Sequence, residues 1–443
     1  MVANLAIYTV VHQPRRLKFP AQPIPYGASS EDIARCLFDE RLNEQCFHQV
    51  ARECYYPAAQ VFLELVRNEG LKLCMGVPLS FVQQAQVWEP ALLELFRELI
   101  AEPNVELIGV EPCYSYLFLL DLPAFVKEMQ RMSDELYTVF GKRPRVTDTT
   151  SLCMSAPLYD ALDEAGFQGV FVDGSSAMLG WRQATYLYRN GDEGTYTLPP
   201  VTPKKIRQAT PAAPYLLCRH QALSDDVAVR FSNQDWSEFP LYADTYAEWI
   251  ARTPGDLVVL GWDFEVFGIR QSIDSGILSF LRALPEQLAR RNIVTCTASE
   301  LIEQYQTQAY YLPLSVYPSA RDFLPDTRAS QQLFYLMHSL YGVAKLTEKP
   351  ELLELAHWLA QADHFLYSPR DMLAPVPRLK HYDTVQEQKQ IYLNALHAME
   401  PYLPARLSRR MEKRRRASKA SKETATKRKQ KSVPGKRIKT SMR

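Results

Sequence analysis

An aspartate closing an apolar run is the strongest chemical lead in this 443-residue sequence. Asp263 follows the strand-like run Asp256–Trp262, within Trp262-Asp263-Phe264-Glu265-Val266-Phe267-Gly268. A carboxyl group held there suits glycosidic chemistry: one carboxylic acid protonates the leaving oxygen, and a second carboxylate acts as nucleophile or as base toward water. The same aspartate can instead cap a helix or close a turn, and the run alone leaves both open. Trp181, Trp236 and Trp262 are amphipathic aromatics that can stack on sugar rings or be buried by packing. Asp225 and Asp226 can hold Arg230 or touch a ligand. No metal-ligand spacing of His, Cys, Asp and Glu occurs, and no glycine-rich phosphate loop follows the first apolar run, so neither a metal nor a cofactor is expected.

Such carboxylates need strands to position them. Short apolar, β-branched runs predict strands at Leu5–Val11, Lys72–Val77, Val105–Val110, Arg145–Thr149, Gly169–Asp173, Tyr215–Arg219, Asp256–Trp262 and Ile293–Thr297. Amphipathic stretches predict helices between them at Phe38–Cys54, Ala58–Asn68, Ala91–Ile100, Leu122–Phe140 and Ala156–Ala165. Thr297-Ala298-Ser299-Glu300 has the form of a capping box opening another helix. Strand-then-helix repetition implies a parallel α/β fold, and seven or eight such units before about residue 310 favour a barrel, with its chemistry at the C-terminal strand ends. After residue 310 the pattern turns helical. Leu333, Leu336, Met337 and Leu340 share a face, and Leu352–Leu359 and Gln386–Met399 read as helices. The expected organisation is a barrel over 1–310, a helical domain over 311–405 and a tail over 406–443.

That tail carries 17 Lys or Arg against two acids, a net of +15, while the preceding 34 basic and 48 acidic residues sum to −14. Apolar residues nearly vanish in it, which predicts a disordered polycation able to bind nucleic acid or another polyanion. The eight cysteines are scattered without a C-x-x-C pair, arguing against a disulfide framework. No secretion signal and no run of ~20 apolar residues is seen, so the expectation is a cytoplasmic protein with no membrane partner.

Longer motifs narrow the reading. HQPRRLKF (His12–Phe19), FDERLNEQCFHQVARECYYPA (Phe38–Ala58), LSDDVAVRFSNQDWSEFPLYAD (Leu223–Asp244), WDFEVFG (Trp262–Gly268) and LAQADHFLYS (Leu359–Ser368) together resemble glycoside hydrolase family 57, in its α-amylase-like branch. The resemblance implies an irregular (β/α)7 barrel followed by a helical bundle, with an α-glucan or oligosaccharide as ligand. It places the general acid/base on Asp263 and His12 in the sugar site, where Trp236 and Trp262 would also contribute.

Departures from the family pattern cluster in one place. The family's fourth strand ends F-R-N-T-E, and the matching run here is Thr147-Asp148-Thr149-Thr150-Ser151, so Ser151 stands at the nucleophile position. The segment E-T-Y-Y-H matches Glu111–Ser115, with Ser115 for the histidine. A Glu-His pair becomes Ile269-Arg270, and S-x-S-G becomes Gly76-Val77-Pro78-Leu79. A serine without an adjacent base does not replace a carboxylate, so impaired hydrolysis is expected. Hydrolysis or glucan transfer by Asp263 with a relocated carboxylate, Asp173 or Glu111, is one alternative, and a non-enzymatic scaffold whose working part is the polyanion-binding basic tail is another. Asp148 lies three residues before Ser151, but strand alternation would turn it to the opposite face.

Overall fold

A computed structural model describes residues 2–191, 214–317, 328–366 and 385–405. The expectations for 406–443 fall outside these residues. Eight of the strands are β1 (Asn4–Val10), β2 (Leu73–Gly76), β3 (Val105–Ile108), β4 (Val146–Asp148), β5 (Gly169–Asp173), β6 (Leu187–Asn190), β7 (Tyr215–Arg219) and β8 (Leu257–Asp263). β8, β1, β2 and β3 pair in parallel, as do β4, β5, β7 and β8. A single parallel bridge, Gly109 to Thr147, joins β3 to β4 and closes seven strands into a ring. The expected (β/α)7 barrel is therefore present. β6 pairs antiparallel with the outside edge of β7, and Tyr310–Leu312 pairs with β6.

These strands were legible because both faces of a parallel barrel are buried, so each reads as an apolar run. All seven residues of β1 are buried. Alternation then sorts them: Ala6, Tyr8 and Val10 join Val146, Phe171 and Val259 in the lumen, while Leu5 and Ile7 pack outward under the helices. Tyr8 stacks on Phe171 with ring centroids 4.3 Å apart. Gly76 is required there, because a Cβ would lie 2.8 Å from the Tyr8 hydroxyl. The helix Ala298–Tyr305 closes the lower end with Leu301 and Ile302, and its predicted capping box between Thr297 and Glu300 is formed.

The helical run Glu40–Asn68 contains a π turn at Ala51–Tyr55, which the expected break near residue 54 only approximated. After the barrel come helices Arg328–Leu346, Pro350–Leu359 and Val385–Met399. Leu333, Met337 and Leu340 are buried along one face of the first. Among the described residues no helix is long and apolar enough to cross a membrane.

Candidate functional site

The C-terminal mouth of the barrel gathers most of the candidate residues. β8 turns Val259 into the lumen and Val258, Leu260 and Trp262 outward, so Asp263 at its tip faces inward. Its carboxylate accepts a charge-assisted hydrogen bond from Arg270, and 41% of the side chain is exposed. The short helical turn after β8 carries Glu265. Tyr55 donates its hydroxyl to Glu265 Oε1, to which the His12 backbone N–H also points at 3.4 Å. The π turn is what delivers Tyr55, and π turns often serve this purpose. Gln13 Nε2 supports the Tyr55 oxygen at 2.8 Å. Burial, aided by the charge of Asp263, pushes the Glu265 carboxyl up to about 7, with the Tyr55 bond opposing.

His12 ends the β1 loop. Its Nε2 lies 2.7 Å from Asp363 Oδ2, and its ring lies against Tyr114 at a centroid distance of 4.6 Å. Burial alone would lower the imidazole pKa, but Asp363, Glu265 and Asp263 outweigh it and raise it. The other ring nitrogen, Nδ1, is buried and makes no hydrogen bond among the described residues.

In the loop after β3, Glu111 is wholly buried and fully engaged. Oε1 meets His357 Nε2 at 2.5 Å, and Oε2 accepts the backbone N–H groups of Cys113 and Ser115. Burial would raise its pKa, yet the His357 charge and these bonds lower it. The segment supplying His357 also brings Gln361, Asp363 and His364. Gln361 bonds the backbone at Arg15 and Cys113, and His364 Nε2 meets the Arg15 carbonyl. The helical part thus builds one wall of the mouth.

The β4 side differs from expectation. β4 ends at Asp148, and Ser151 lies in the following 3-10 turn with φ +59, so strand alternation does not relate the two. Asp148 points into the lumen, where the Tyr8 hydroxyl donates to its Oδ2, while Oδ1 is buried without a partner among the described residues. Burial and the Asp263 charge push its carboxyl up to about 8 against the Tyr8 bond. The Ser151 N–H donates to the Tyr114 hydroxyl at 3.3 Å, which places Tyr114 between Ser151 and His12.

Three further candidates lie elsewhere. Asp173 is buried at the tip of β5, level with Arg219. Trp262 is corrected: it is 3% exposed on the outer face of β8, donates Nε1 to the Ser224 carbonyl at 3.0 Å and cannot stack on a sugar. Trp236 sits on the outer layer against Trp249 rather than in the mouth. The sequence reading passed over Tyr8, Tyr114, His357 and Asp363, and gave Glu265 no role. Glu265, two residues after Asp263, Tyr114, inside the segment Glu111–Ser115, and Asp363, inside Leu359–Ser368, carried a usable signal. Among the described residues no group of three His, Cys, Asp or Glu side chains is placed to ligate a metal.

The comparisons agree with this architecture. Residues 6–313 match the sequence family described as glycosyl hydrolase family 57. A Methanocaldococcus jannaschii protein that carries the name of a proposed alpha-amylase is 26% identical over 419 residues, 90% of this chain and 84% of that one. The solved 4-alpha-glucanotransferase of Thermococcus litoralis shares the fold at a TM-score of 0.62 and 15% identity. That alignment covers 91% of this chain, which spans only 60% of the transferase. A family 57 branching enzyme from Thermococcus kodakaraensis matches at a TM-score of 0.58 and 14% identity, over 90% of each chain.

Proposed function

Because the chain belongs to glycosyl hydrolase family 57, we propose that it is an α-amylase-like protein of α-glucan metabolism that binds an α-glucan or related oligosaccharide without ordinary retaining hydrolysis. The observation carrying this reading is Ser151. At the position the family resemblance gives to the nucleophile, its hydroxyl makes no hydrogen bond among the described residues, so no base activates it. Asp263 supplies one carboxyl group, already engaged by Arg270. Glu111, bound to His357 and two backbone N–H groups, is not free to serve as a water-activating base.

The test is release of reducing ends from maltoheptaose by wild type, Ser151→Glu and Asp263→Asn, with the product anomer followed. Wild type is expected to show little turnover, and Ser151→Glu a partial gain, because Ser115 and Arg270 remain. Losing a catalytic nucleophile removes several orders of magnitude in rate. Brisk wild-type hydrolysis abolished by Asp263→Asn overturns the reading.

One observation supports an active enzyme instead. Burial pushes the Asp148 carboxyl up to about 8 in the same lumen as Asp263, so a second carboxyl group suited to proton transfer stands there. Inverted product lost in Asp148→Asn or Asp173→Asn would establish that alternative. The tail at 406–443 is a separate proposal, resting on its charge: salt-sensitive duplex DNA binding by the full chain, absent from a truncation ending at Leu407. Equal binding by both removes it.

A further inference from the structure

A second aromatic site lies on the outer layer of the barrel. The loop after β7 and the helix Ala243–Arg252 enclose an open hollow of about 460 Å³ lined by Asp226, Arg230, Trp236, Glu238 and Trp249. That volume is within the range of ~300–1,000 Å³ common for small-molecule sites. The two indoles meet edge to face with centroids 6.1 Å apart, and both are only partly buried. The Arg230 guanidinium lies 5.7 Å from the Trp236 ring centroid and binds Asp226 Oδ1 through Nε at 2.7 Å and Nη2 at 2.6 Å.

What remains unbonded is informative. Among the described residues, the Nε1 groups of Trp236 and Trp249 and Arg230 Nη1 have no acceptor, and Asp226 Oδ2 and Glu238 Oε2 have no donor. The residues that line the hollow thus carry three donors and two acceptors without protein partners, beside two indole rings. Vicinal hydroxyls flanking an apolar pyranose face present the complement of that pattern. A cationic ligand suits it less, because the Arg230 guanidinium beside Asp226 and Trp236 would repel a second positive charge. The hollow is also distinct from the mouth, because Trp236 and Trp249 lie on the outer layer of the barrel and none of the mouth residues lines it.

The geometry points to a surface carbohydrate-binding site at Trp236 and Trp249 that holds α-glucan independently of the barrel mouth. It rests on the α-glucan reading above and adds a second contact to it. A branched or long polymer engaging both sites gains effective concentration that a short oligosaccharide does not.

The experiment is affinity electrophoresis of the full chain in gels containing glycogen, with calorimetric titration of maltoheptaose. Trp236→Ala and Glu238→Gln are each expected to raise the apparent glycogen dissociation constant by about fivefold or more, with Trp236→Phe recovering much of it. Unchanged thermal melting confirms that the variants are folded, and Glu238, exposed in a loop, provides a readout that packing does not confound. If wild type is retarded by glycogen and all three variants match it, the surface site is overturned while α-glucan binding stands. If only Asp263→Ala weakens retention, the binding belongs to the mouth and the surface site again falls. If wild type binds neither glycogen nor maltoheptaose, both proposals fall.

Discussion

The two sides of the barrel mouth are built on opposite terms. On the β1 and β3 side, most polar groups near the mouth are bonded into one network: Glu111 to His357, Gln361 to the backbones of Arg15 and Cys113, His364 to Arg15. Thr9 Oγ1, Ser80 Oγ and Gln84 Oε1 lie outside it without a partner among the described residues. On the β4 and β8 side, Asp148 Oδ1 and the Ser151 hydroxyl have no partner among the described residues, and Asp263 remains partly exposed. Buried polar atoms are normally satisfied, and those that are not tend to mark places kept for something other than stability. His12 lies on the border, with one ring nitrogen held by Asp363 and the other unbonded. The first side is architecture, and the second is where a ligand is expected.

The largest effect should come from breaking the closed side. His357→Ala leaves Glu111 as an uncompensated buried charge and is expected to cost about 3–5 kcal/mol in urea unfolding. Asp263→Ala removes a partly exposed pair and should cost under about 1 kcal/mol. Equal losses would erase the contrast.

The pH response should separate the sides next. Glu111 has a lowered pKa, so its contribution is present above the unfolded value, near 4.3, and is lost as pH falls through the folded one. Asp148 behaves oppositely. The folded chain keeps a proton up to about pH 8 that the unfolded chain releases near pH 3.9, so stability declines as pH rises between these values. Its slope should reach at most about 1.4 kcal/mol per pH unit. Glu265 adds the same sign up to about pH 7. Asp148→Asn should flatten the decline above pH 7 in melts taken from pH 5 to pH 8.5. An unchanged decline would mean that Asp148 is ionised at neutrality.

The smallest effect sharpens the correction at Trp262. Trp262→Phe removes the bond to the Ser224 carbonyl and should cost roughly 1 kcal/mol. Its glycogen retention should equal that of wild type, and a loss would return Trp262 to the ligand.

The strands and the family were legible because burial on both faces writes an apolar run and because five motifs stand in order. β6 was not, since Leu187-Tyr188-Arg189-Asn190 ends in half-buried polar residues on an outer edge. Asp263 was a candidate from its strand end, and its acid/base role came only with the family resemblance. The placing of Trp262 beside a sugar conflicts with an Asp263 that faces inward, because neighbours in a strand face opposite ways. Asp148 was misjudged for the converse reason, as alternation was extended past the end of its strand. His357 carried no signal, and Gln361 stood inside the motif Leu359–Ser368 without a readable role. Their partners Glu111 and Cys113 lie in a loop about 250 residues earlier, and no local pattern encodes such a meeting.

That separation also sets a timetable. Glu111 and His357 stand 246 residues apart in the chain. At about 5–20 residues per second of synthesis, roughly 12–50 s pass between the appearance of the carboxylate and that of its imidazole. Throughout that interval the barrel strands are all made while the β3 loop lacks its counter-charge, so the mouth is finished only when the helical part arrives. Nascent chains stalled before residue 357 should therefore be cleaved by protease near Glu111–Tyr116, and chains released after residue 405 should resist.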